Sequence, residues 1–476
     1  MTDIPLWQKD ASEIAGATQN GDISAETAVQ VAVEHMRRVN RDLNAVVVDL
    51  GDSAVQAAVA LDKARQNGKP CGPLHGVPVT VKINVDQAGE ATSNGIVALG
   101  NHMAHADAPV VRNLIQAGAV IIGRSNTPEF SFRADTNNPL HGRTHNPWGR
   151  HVSSGGSSGG AGAAVMAGIG ALAHGNDLGG SLRFPAAANG AVTVKPGLGR
   201  VPAYNPSQTT ERGVLAQSMS VQGLLTRSAK DLDLAMPSLI SHDIRDPFHV
   251  PLDYQGPPLK SPIRVAVSKA SFGFDMHSEI SHAIDLAADA LSDAGYDVEE
   301  MTPSFVRQTA ECGYQALMGE VSELLEPDIR SHGSMEINKL FDEYYQRFPP
   351  YKGTALVSAM AKRSHYAREW ALFLNEYPLA LSPFMLQPYF APDRDLEGAE
   401  GVQDALGSAL WSYSINFVGL PAGCLPTHLA TLPQGEQPIT VQLIGRRWRE
   451  DLIVAAMIAI EARLGRLCNK LWKRLP

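Results

Sequence analysis

Two serines and one lysine have the residue types and surroundings that acyl-transfer chemistry needs. Ser157 lies in the motif GGSSGG, Ser181 lies in LGGSLR, and Lys82 ends the apolar stretch VPVTVK. Each serine follows two glycines, which leave its hydroxyl open to a substrate and allow backbone N–H groups to converge on one point. A serine nucleophile with an oxyanion site has these requirements. A buried, neutral lysine can act as the base.

Each of these signals is weak when it is taken alone. A Gly-Gly-Ser sequence usually forms a turn, and a lysine at the end of a strand is usually solvated. Residues 155–159 also fit the esterase pattern G-x-S-x-G, which occurs often by chance in sequence rich in glycine and serine. The segment lacks the G-K-[ST] ending of a phosphate-binding loop. The functional prediction therefore depends on the combination of motifs.

The elements around these residues follow the pattern of an α/β protein. Residues 77–81 alternate and are β-branched, which predicts a strand that delivers Lys82. A predicted helix over 110–117 precedes the continuous apolar run 119–122, which is typical of a buried strand. The same types of element recur as a strand over 264–267 and a helix over 280–294. We therefore expect a sheet with helices on its faces.

The segment 153–200 is unusually dense in glycine, serine and alanine. Apolar residues continue through it and no hydrophilic stretch flanks it, so we reject a flexible linker. Small residues in such a setting indicate close backbone approach. We predict a tightly packed helix over 161–173 between two glycine-rich turns. Because no repeat or linker is evident elsewhere, we predict one large domain over residues 1–476.

Composition excludes several classes of protein. The chain has 476 residues, of which 44% are hydrophobic and 19% charged, as in a globular protein. Its 40 basic and 49 acidic residues give a net charge of −9, which argues against nucleic acid as a partner. We expect no membrane span and no export signal, since neither pattern is present. We expect a cytoplasmic location, since the cysteines form no CxxC pair and fit a reduced compartment; they are Cys71, Cys312, Cys424 and Cys468.

Taken together, the segments resemble the amidase signature family. GPLHGVPVTVKIN resembles the family's lysine motif, and SSGGSSGG followed by DLGGSLRFPA resembles its serine–glycine signature, with Ser181 placed 24 positions after Ser157. Later landmarks of the family have counterparts in VKPGLGRVP, LTRSAKDL, GLPAGCLP and VQLIGRRWRED. The match is densest over 72–232 and 411–465, which we interpret as the catalytic core. Residues 305–375 are expected to form a variable helical region at the substrate pocket.

The resemblance implies a fold, a reaction and a set of roles. The fold would be a single large α/β domain whose central mixed β-sheet is covered by helices on both faces. The reaction would be hydrolysis of a carboxylic amide through an acyl-enzyme on Ser181, with Ser157 as bridging acid and base and Lys82 as general base. The family holds the bridging serine on a cis peptide. Neither a metal nor an organic cofactor is implied, and a homodimer is expected from the family. The oxyanion donors would be the backbone N–H groups of Leu178, Gly179, Gly180 and Ser181.

Three further residues are predicted to support the catalytic set. Ser158 is the second serine of its motif, and Asp177 and Arg183 flank the Gly-Gly-Ser turn and could pair to brace it. The alternative for that pair is a surface salt bridge of little consequence. The chain also departs from the family twice, with Ile83 where an aspartate is common and Asn176 where a threonine is common. Both departures could change the surroundings of the lysine.

Pocket residues are harder to predict from sequence. Phe130, Phe132, Asn138 and Cys312 are candidates for the pocket wall, although a buried inert thiol is the alternative for Cys312. The many aromatic residues of 305–375 should be mostly core, with a few lining an apolar pocket. We therefore expect a small or medium, apolar or aromatic amide as substrate. Histidine pairs at 102 and 105 and at 141 and 145 lack the carboxylates or cysteines that would complete a metal site. His174, just before the nucleophile loop, should be packed or hydrogen-bonded.

The sequence also leaves other interpretations open. The chain could be the glutamine-hydrolysing component of a tRNA-dependent amidotransferase from the same family. It could be an esterase that uses Ser157 or Ser158 with a downstream histidine, or a binding protein without activity. The serine set also suits esters, hydrazides, carbamates and cyclic amides.

Overall fold

A computed structural model describes residues 4–475. Its strands build one mixed sheet of eleven strands, in the order β1-β3-β2-β4-β6-β5-β10-β11-β9-β7-β8. The strands are β1 (Val46–Asp49), β2 (Pro78–Lys82), β3 (Val120–Ser125), β4 (Leu172–Asp177), β5 (Val192–Lys195), β6 (Val221–Thr226), β7 (Arg264–Val267), β8 (Asp297–Glu300), β9 (Leu379–Pro383), β10 (Ala422–Leu432) and β11 (Gly435–Gly445).

Helices surround this sheet. They are α1 (Ala11–Asn20), α2 (Ala25–Leu43), α3 (Gly51–Gln66), α4 (Pro109–Gln116), α5 (Gly159–Met166), α6 (Arg183–Asn189), α7 (Val214–Met219), α8 (Ala229–Leu239), α9 (Ser278–Asp293), α10 (Val306–Leu324), α11 (Glu326–His332), α12 (Met335–Arg347), α13 (Gly353–Glu376), α14 (Gly398–Val402), α15 (Leu410–Val418), α16 (Glu450–Leu464) and α17 (Cys468–Leu471). Among the helices that the structure describes, none is both long enough and apolar enough to cross a membrane.

The sheet combines parallel and antiparallel pairs, as the mixed-sheet prediction required. Strand β2 runs parallel to both β3 and β4, and β7 runs parallel to β8 and β9. The central strands from β4 through β6, β5, β10 and β11 to β9 pair antiparallel. Every residue of β2 and β3 is buried, because helices cover both faces of the sheet there.

Most predicted elements are confirmed to within two residues. The predicted strand at 77–81 is β2, the apolar run 119–122 lies almost entirely in β3, and the helix over 110–117 is α4. Helix α4 begins at Pro109, where the fixed φ of proline suits the first helical position. The later strand and helix are β7 and α9.

The prediction of one helix over 161–173 is wrong in its second half. Helix α5 ends at Met166, and Leu172 already begins β4. Gly168 and Gly170 have φ of +82° and +71°, a left-handed conformation that separates the helix from the strand. The expectation of close backbone approach is confirmed, because a Cβ on Gly160 would lie 2.4 Å from the backbone nitrogen of Asn126.

The topology brings the segments that carry Lys82, Ser157 and Ser181 to the carboxyl ends of strands β2 and β4. Strands β2 and β4 are parallel neighbours, so Lys82 at the end of β2 lies beside the residues that end β4. Ser157 lies just before α5, and Ser181 lies between β4 and α6. The carboxyl ends of neighbouring parallel strands are a common place for a ligand site.

Candidate active site

Lys82 is fully buried, and its amine faces three side-chain oxygens. Its Nζ lies 2.7 Å from Ser157 Oγ, 2.8 Å from Asn176 Oδ1 and 3.2 Å from Ser158 Oγ. The side chain has 0% exposure. Burial holds the pKa of Lys82 well below its usual range, although the negative charge of Asp177 opposes this effect. The arrangement therefore favours a neutral amine that can accept a proton.

Ser157 connects this amine to a cavity. The Gly156–Ser157 peptide bond is cis, as the family resemblance implied. The serine is 1% exposed, and it lines a cavity of about 310 Å³. Gly156 has no room for a side chain, since a Cβ there would lie 2.2 Å from the carbonyl oxygen of Arg133. The Ser157 hydroxyl is thus held between Lys82 and the cavity.

Ser181 lines the same cavity as Ser157. It is partly exposed, and it also borders a smaller cavity beside the first. Its backbone oxygen accepts a hydrogen bond of 3.2 Å from the Ser158 amide. The hydroxyls of Ser157 and Ser181, both within the described part of the chain, line the same cavity but are not hydrogen-bonded to each other. The structure therefore brings the three predicted residues to one place and joins the lysine to the first serine.

The backbone around Ser181 has several amide groups, and two of them already donate to the Asp177 carboxylate. The Gly180 N–H donates to Asp177 Oδ1 at 2.8 Å, and the Leu182 N–H donates to Asp177 Oδ2 at 3.2 Å. The Gly180 amide is therefore committed to a carboxylate and is unsuited to a substrate oxyanion. We retain the amides of Leu178, Gly179 and Ser181 as the predicted donors.

Asp177 and Arg183 form a buried, bidentate ion pair, so the alternative of a surface salt bridge is wrong. Arg183 Nε lies 3.0 Å from Asp177 Oδ2 and Nη2 lies 3.0 Å from Oδ1, and both side chains are 0% exposed. Asn416 Nδ2 donates to the same carboxylate at 2.8 Å. Burial raises the pKa of Asp177, but the Arg183 guanidinium outweighs burial and lowers that pKa to about 2. The ionised pair braces the loop that carries Ser181.

Comparison with known proteins agrees with the chemistry that the geometry of this site suggests. A family model described as Amidase matches residues 27–454. The chain belongs to the amidase family. It is 43% identical to an indoleacetamide hydrolase of Bradyrhizobium diazoefficiens over 99% of this chain and 89% of that protein. It is 30% identical to a glutamyl-tRNA(Gln) amidotransferase component of Moorella thermoacetica over 96% of this chain and 97% of the relative.

A solved structure supports the same assignment. The 6-aminohexanoate cyclic dimer hydrolase complexed with substrate superposes with a TM-score of 0.82 at 26% identity, over 97% of this chain and 98% of that one. The predicted α/β fold with its mixed sheet and the predicted hydrolysis of amides are both confirmed for this amidase.

The cavity wall of this amidase agrees with half of the pocket prediction. Phe130 and Phe132 line the larger cavity. Asn138 does not line it, because its Nδ2 bonds Asn126 Oδ1 at 2.8 Å and the Thr127 carbonyl at 2.7 Å and so fixes neighbouring loops. Cys312 is packed into the apolar core, where burial raises the pKa of its thiol. Neither residue lines the two cavities at Ser181, and the burial of Cys312 agrees with the alternative of a packed thiol.

Several residues of the site were not predicted. The smaller cavity has an aromatic wall that includes Tyr413, which comes from α15 and meets Tyr314 at a ring-centroid distance of 4.3 Å. The larger cavity has a polar wall that includes Asn84, Asn94 and Ser131. Asn84 could have been found from sequence, since it follows Lys82 by two positions.

A carboxylate cluster near the site is better explained by ion pairs than by a metal. Oxygens of Asp135, Asp393 and Asp395 lie within 4.8 Å of one another. Arg133 Nη2 lies 2.7 Å from Asp395 and 2.9 Å from Asp393, and Arg143 Nη1 lies 2.5 Å from Asp135. The guanidinium groups already satisfy these carboxylates.

His174 is buried and hydrogen-bonded, as expected. Its Nε2 lies 2.9 Å from Gln222 Oε1, and its Nδ1 faces the Lys82 amide at 3.4 Å. Burial lowers the pKa of His174 to about 3. A neutral imidazole with both nitrogens engaged has a packing role.

Proposed function

We propose that this amidase hydrolyses a small, uncharged aromatic carboxamide of the arylacetamide type, releasing an arylacetate and ammonia. The observation that carries the proposal is the buried Lys82 amine, 2.7 Å from the Ser157 hydroxyl at a cavity that Ser181 also lines. The substrate class is supported by the aromatic rings beside Ser181 and by the relative named indoleacetamide hydrolase.

The reaction begins with proton transfer. Neutral Lys82 takes the proton of the Ser157 hydroxyl, and Ser157 takes the proton of Ser181 as Ser181 Oγ forms a bond to the substrate carbonyl carbon. The carbonyl oxygen becomes an oxyanion, which accepts hydrogen bonds from the amides of Leu178, Gly179 and Ser181. One such donor is worth about 3–4 kcal/mol in the transition state of a comparable hydrolase.

The second half of the cycle releases both products. Lys82 returns its proton through Ser157 to the leaving nitrogen, and the C–N bond breaks to give ammonia and an acyl-enzyme on Ser181. A water molecule, deprotonated through the same two groups, then attacks the acyl carbon. The ester bond breaks, Ser181 regains its proton, and the carboxylate leaves.

The smaller cavity, at about 40 Å³, does not hold a whole aromatic ring, but its walls support an uncharged aromatic group that reaches it from the larger cavity. Phe132, Tyr314, Tyr344 and Tyr413 contribute rings to the smaller cavity, and aromatic side chains favour flat apolar ligands. Among the described residues that line this cavity, Arg133 is the one cation, and it is already paired with Asp395. A charged substrate would therefore lose hydration there without gaining a counter-ion.

A kinetic panel tests this proposal. We expect indole-3-acetamide and phenylacetamide to release ammonia with kcat/KM at least a hundredfold above that of glutamine. We expect Ser181→Ala to abolish turnover, while Ser53→Ala, a change at a surface serine, leaves it unchanged. A fluorophosphonate probe should label Ser181. Retained turnover in the Ser181→Ala protein, or labelling at Ser157 or Ser158 alone, would contradict the mechanism.

The glutamine-hydrolysing component of an amidotransferase is the second candidate, because 30% identity to such a protein extends over 96% of this chain. In that case glutamine would be the preferred amide, and a tRNA-binding partner would co-purify. The panel above separates the two candidates directly. A cytoplasmic homodimer also belongs to our proposal, and light scattering of the purified protein tests its stoichiometry.

A further inference from the structure

Asn176 occupies the position where the family often has threonine, and it contacts the proposed base directly. Its Oδ1 lies 2.8 Å from Lys82 Nζ, which is nearly as close as Ser157 Oγ at 2.7 Å. The proposed mechanism gives Asn176 no role, although it lines the larger cavity together with Ser157 and Ser181.

The number of hydrogens on a neutral amine limits what these contacts can be. A neutral lysine has two N–H groups and one lone pair. Asn176 Oδ1 has no hydrogen, so it must accept one N–H. The Ser158 hydroxyl lies 3.4 Å from the backbone carbonyl oxygen of Asn176, to which it can donate. Its oxygen lies 3.2 Å from Lys82 Nζ and can accept the second N–H. With both N–H groups used in this way, the lone pair faces Ser157.

The orientation of the Asn176 amide decides whether this arrangement holds. If its NH2 group faced Lys82, it would compete with Ser157 for the lone pair. Asn84 prevents this reversal through a reciprocal amide pair, in which Asn176 Nδ2 donates to Asn84 Oδ1 at 2.9 Å and Asn84 Nδ2 donates to Asn176 Oδ1 at 3.3 Å. Asn84 is oriented in turn by Ser131, whose Oγ accepts its Nδ2 at 3.0 Å and donates to Asn94 Oδ1 at 2.6 Å.

We infer that Asn176 is a positioning residue that aims the lone pair of Lys82 at Ser157, and that Asn84 holds Asn176 in the required orientation. This inference rests on the proposed function, in which Lys82 is the base. The charged and titratable groups that face the amine region are Asp177 and His174 on β4 and Arg124 on β3. Asn176 is a neutral group in direct contact with the amine, as are Ser157 and Ser158.

The test measures how kcat/KM depends on pH in three variants, with indole-3-acetamide as substrate. Asn176→Asp places a carboxylate beside Nζ, which favours the charged amine. The acid limb of the pH profile, where kcat/KM falls as Lys82 gains a proton, should therefore move to higher pH by about one to three units. Asn176→Ala removes a hydrogen-bond acceptor that favours the charged amine, so the acid limb of this variant should move to lower pH. Its kcat should fall about tenfold to a hundredfold, since the base is no longer aimed. Asn84→Ala should shift the limb in the same direction as Asn176→Ala.

Controls separate this inference from the proposed function. Gln208→Ala changes another amide on the same cavity wall, one whose side chain donates to Glu211 and is hydrogen-bonded to neither Asn84 nor Asn176, and it should leave the acid limb of the pH profile unmoved. Circular dichroism identifies variants that fail to fold, and Asn84→Ala provides the test if both Asn176 variants do so. Unmoved acid limbs in folded variants would overturn the positioning role alone. Turnover in Ser181→Ala or Lys82→Met would instead overturn the proposed function.

Discussion

Replacing Asp177 with asparagine tests whether the buried ion pair holds the loop that carries Ser181. The carboxylate accepts hydrogen bonds from the backbone of Gly180 and Leu182, from two nitrogens of Arg183, and from Asn416. An asparagine in its place has one acceptor oxygen, and its NH2 group would face donors. The substitution also leaves the Arg183 guanidinium, at 0% exposure, without a counter-ion.

The structure allows an estimate of the cost. A pKa lowered from 3.8 to about 2 corresponds to a preference of about 2 kcal/mol for the ionised carboxylate. Removing one partner of a buried pair costs about 3–5 kcal/mol, because an uncompensated charge stays in the interior. We therefore expect Asp177→Asn to lose about 3–5 kcal/mol in the free energy of unfolding. We also expect kcat to fall at least tenfold, since the loop that carries Ser181 loses its anchor.

Urea unfolding, followed by circular dichroism, measures the first effect. Asp52→Asn is the matched control, since Asp52 also pairs with an arginine but is 90% exposed. It should change the free energy of unfolding by less than about 1 kcal/mol. In a double-mutant cycle, Asp177→Asn with Arg183→Met should cost clearly less than the sum of the single changes. A loss below about 1 kcal/mol for Asp177→Asn would refute the reasoning.

Three further changes probe the proposed base, a buried histidine and a crowded glycine. Lys82→Met should lower kcat about a hundredfold to ten-thousandfold in folded protein, the range for a general base, and an assay of released ammonia checks it. His174 has a pKa of about 3 against an ordinary 6.5, so it stays neutral in the folded state while the unfolded chain gains a proton below pH 6.5. Stability is thus lost as pH falls, by about 2 kcal/mol at pH 5 from this group, and urea unfolding of His174→Asn should show that much less acid sensitivity than the native chain. Gly156→Ala should destabilise by about 1–3 kcal/mol, because its Cβ would lie 2.2 Å from a carbonyl oxygen, whereas Gly16→Ala, with nothing within 4 Å, should not; melting temperatures compare the two.

The sequence by itself determined most of the elements and singled out the three residues that we propose as the catalytic set. Alternating and continuous apolar runs located β2 and β3 correctly, because these patterns depend on near neighbours along the chain. The glycine-flanked serines and the lysine were found from their local context and from the resemblance to the amidase signature family, and the structure places Lys82, Ser157 and Ser181 together. The prediction of a helix over 161–173 was wrong because Gly168 and Gly170 adopt a left-handed φ inside an apolar run. Composition alone does not show which glycines will do so.

The tertiary structure decided which groups actually meet. Asn138 and Cys312 are as plausible in sequence as Phe130, but they do not line the cavity, because Asn138 bonds Asn126 and Cys312 packs in an apolar cluster. Tyr413 reaches Tyr314 across 99 positions of the chain, and Asn84 reaches Asn176 across 92. The direction of a hydrogen bond, such as that from the Gly180 amide to Asp177, depends on the local path of the backbone. Residue type and spacing specify what a group can do, but long-range packing fixes its partner, because each contact is a compromise among all the groups around it.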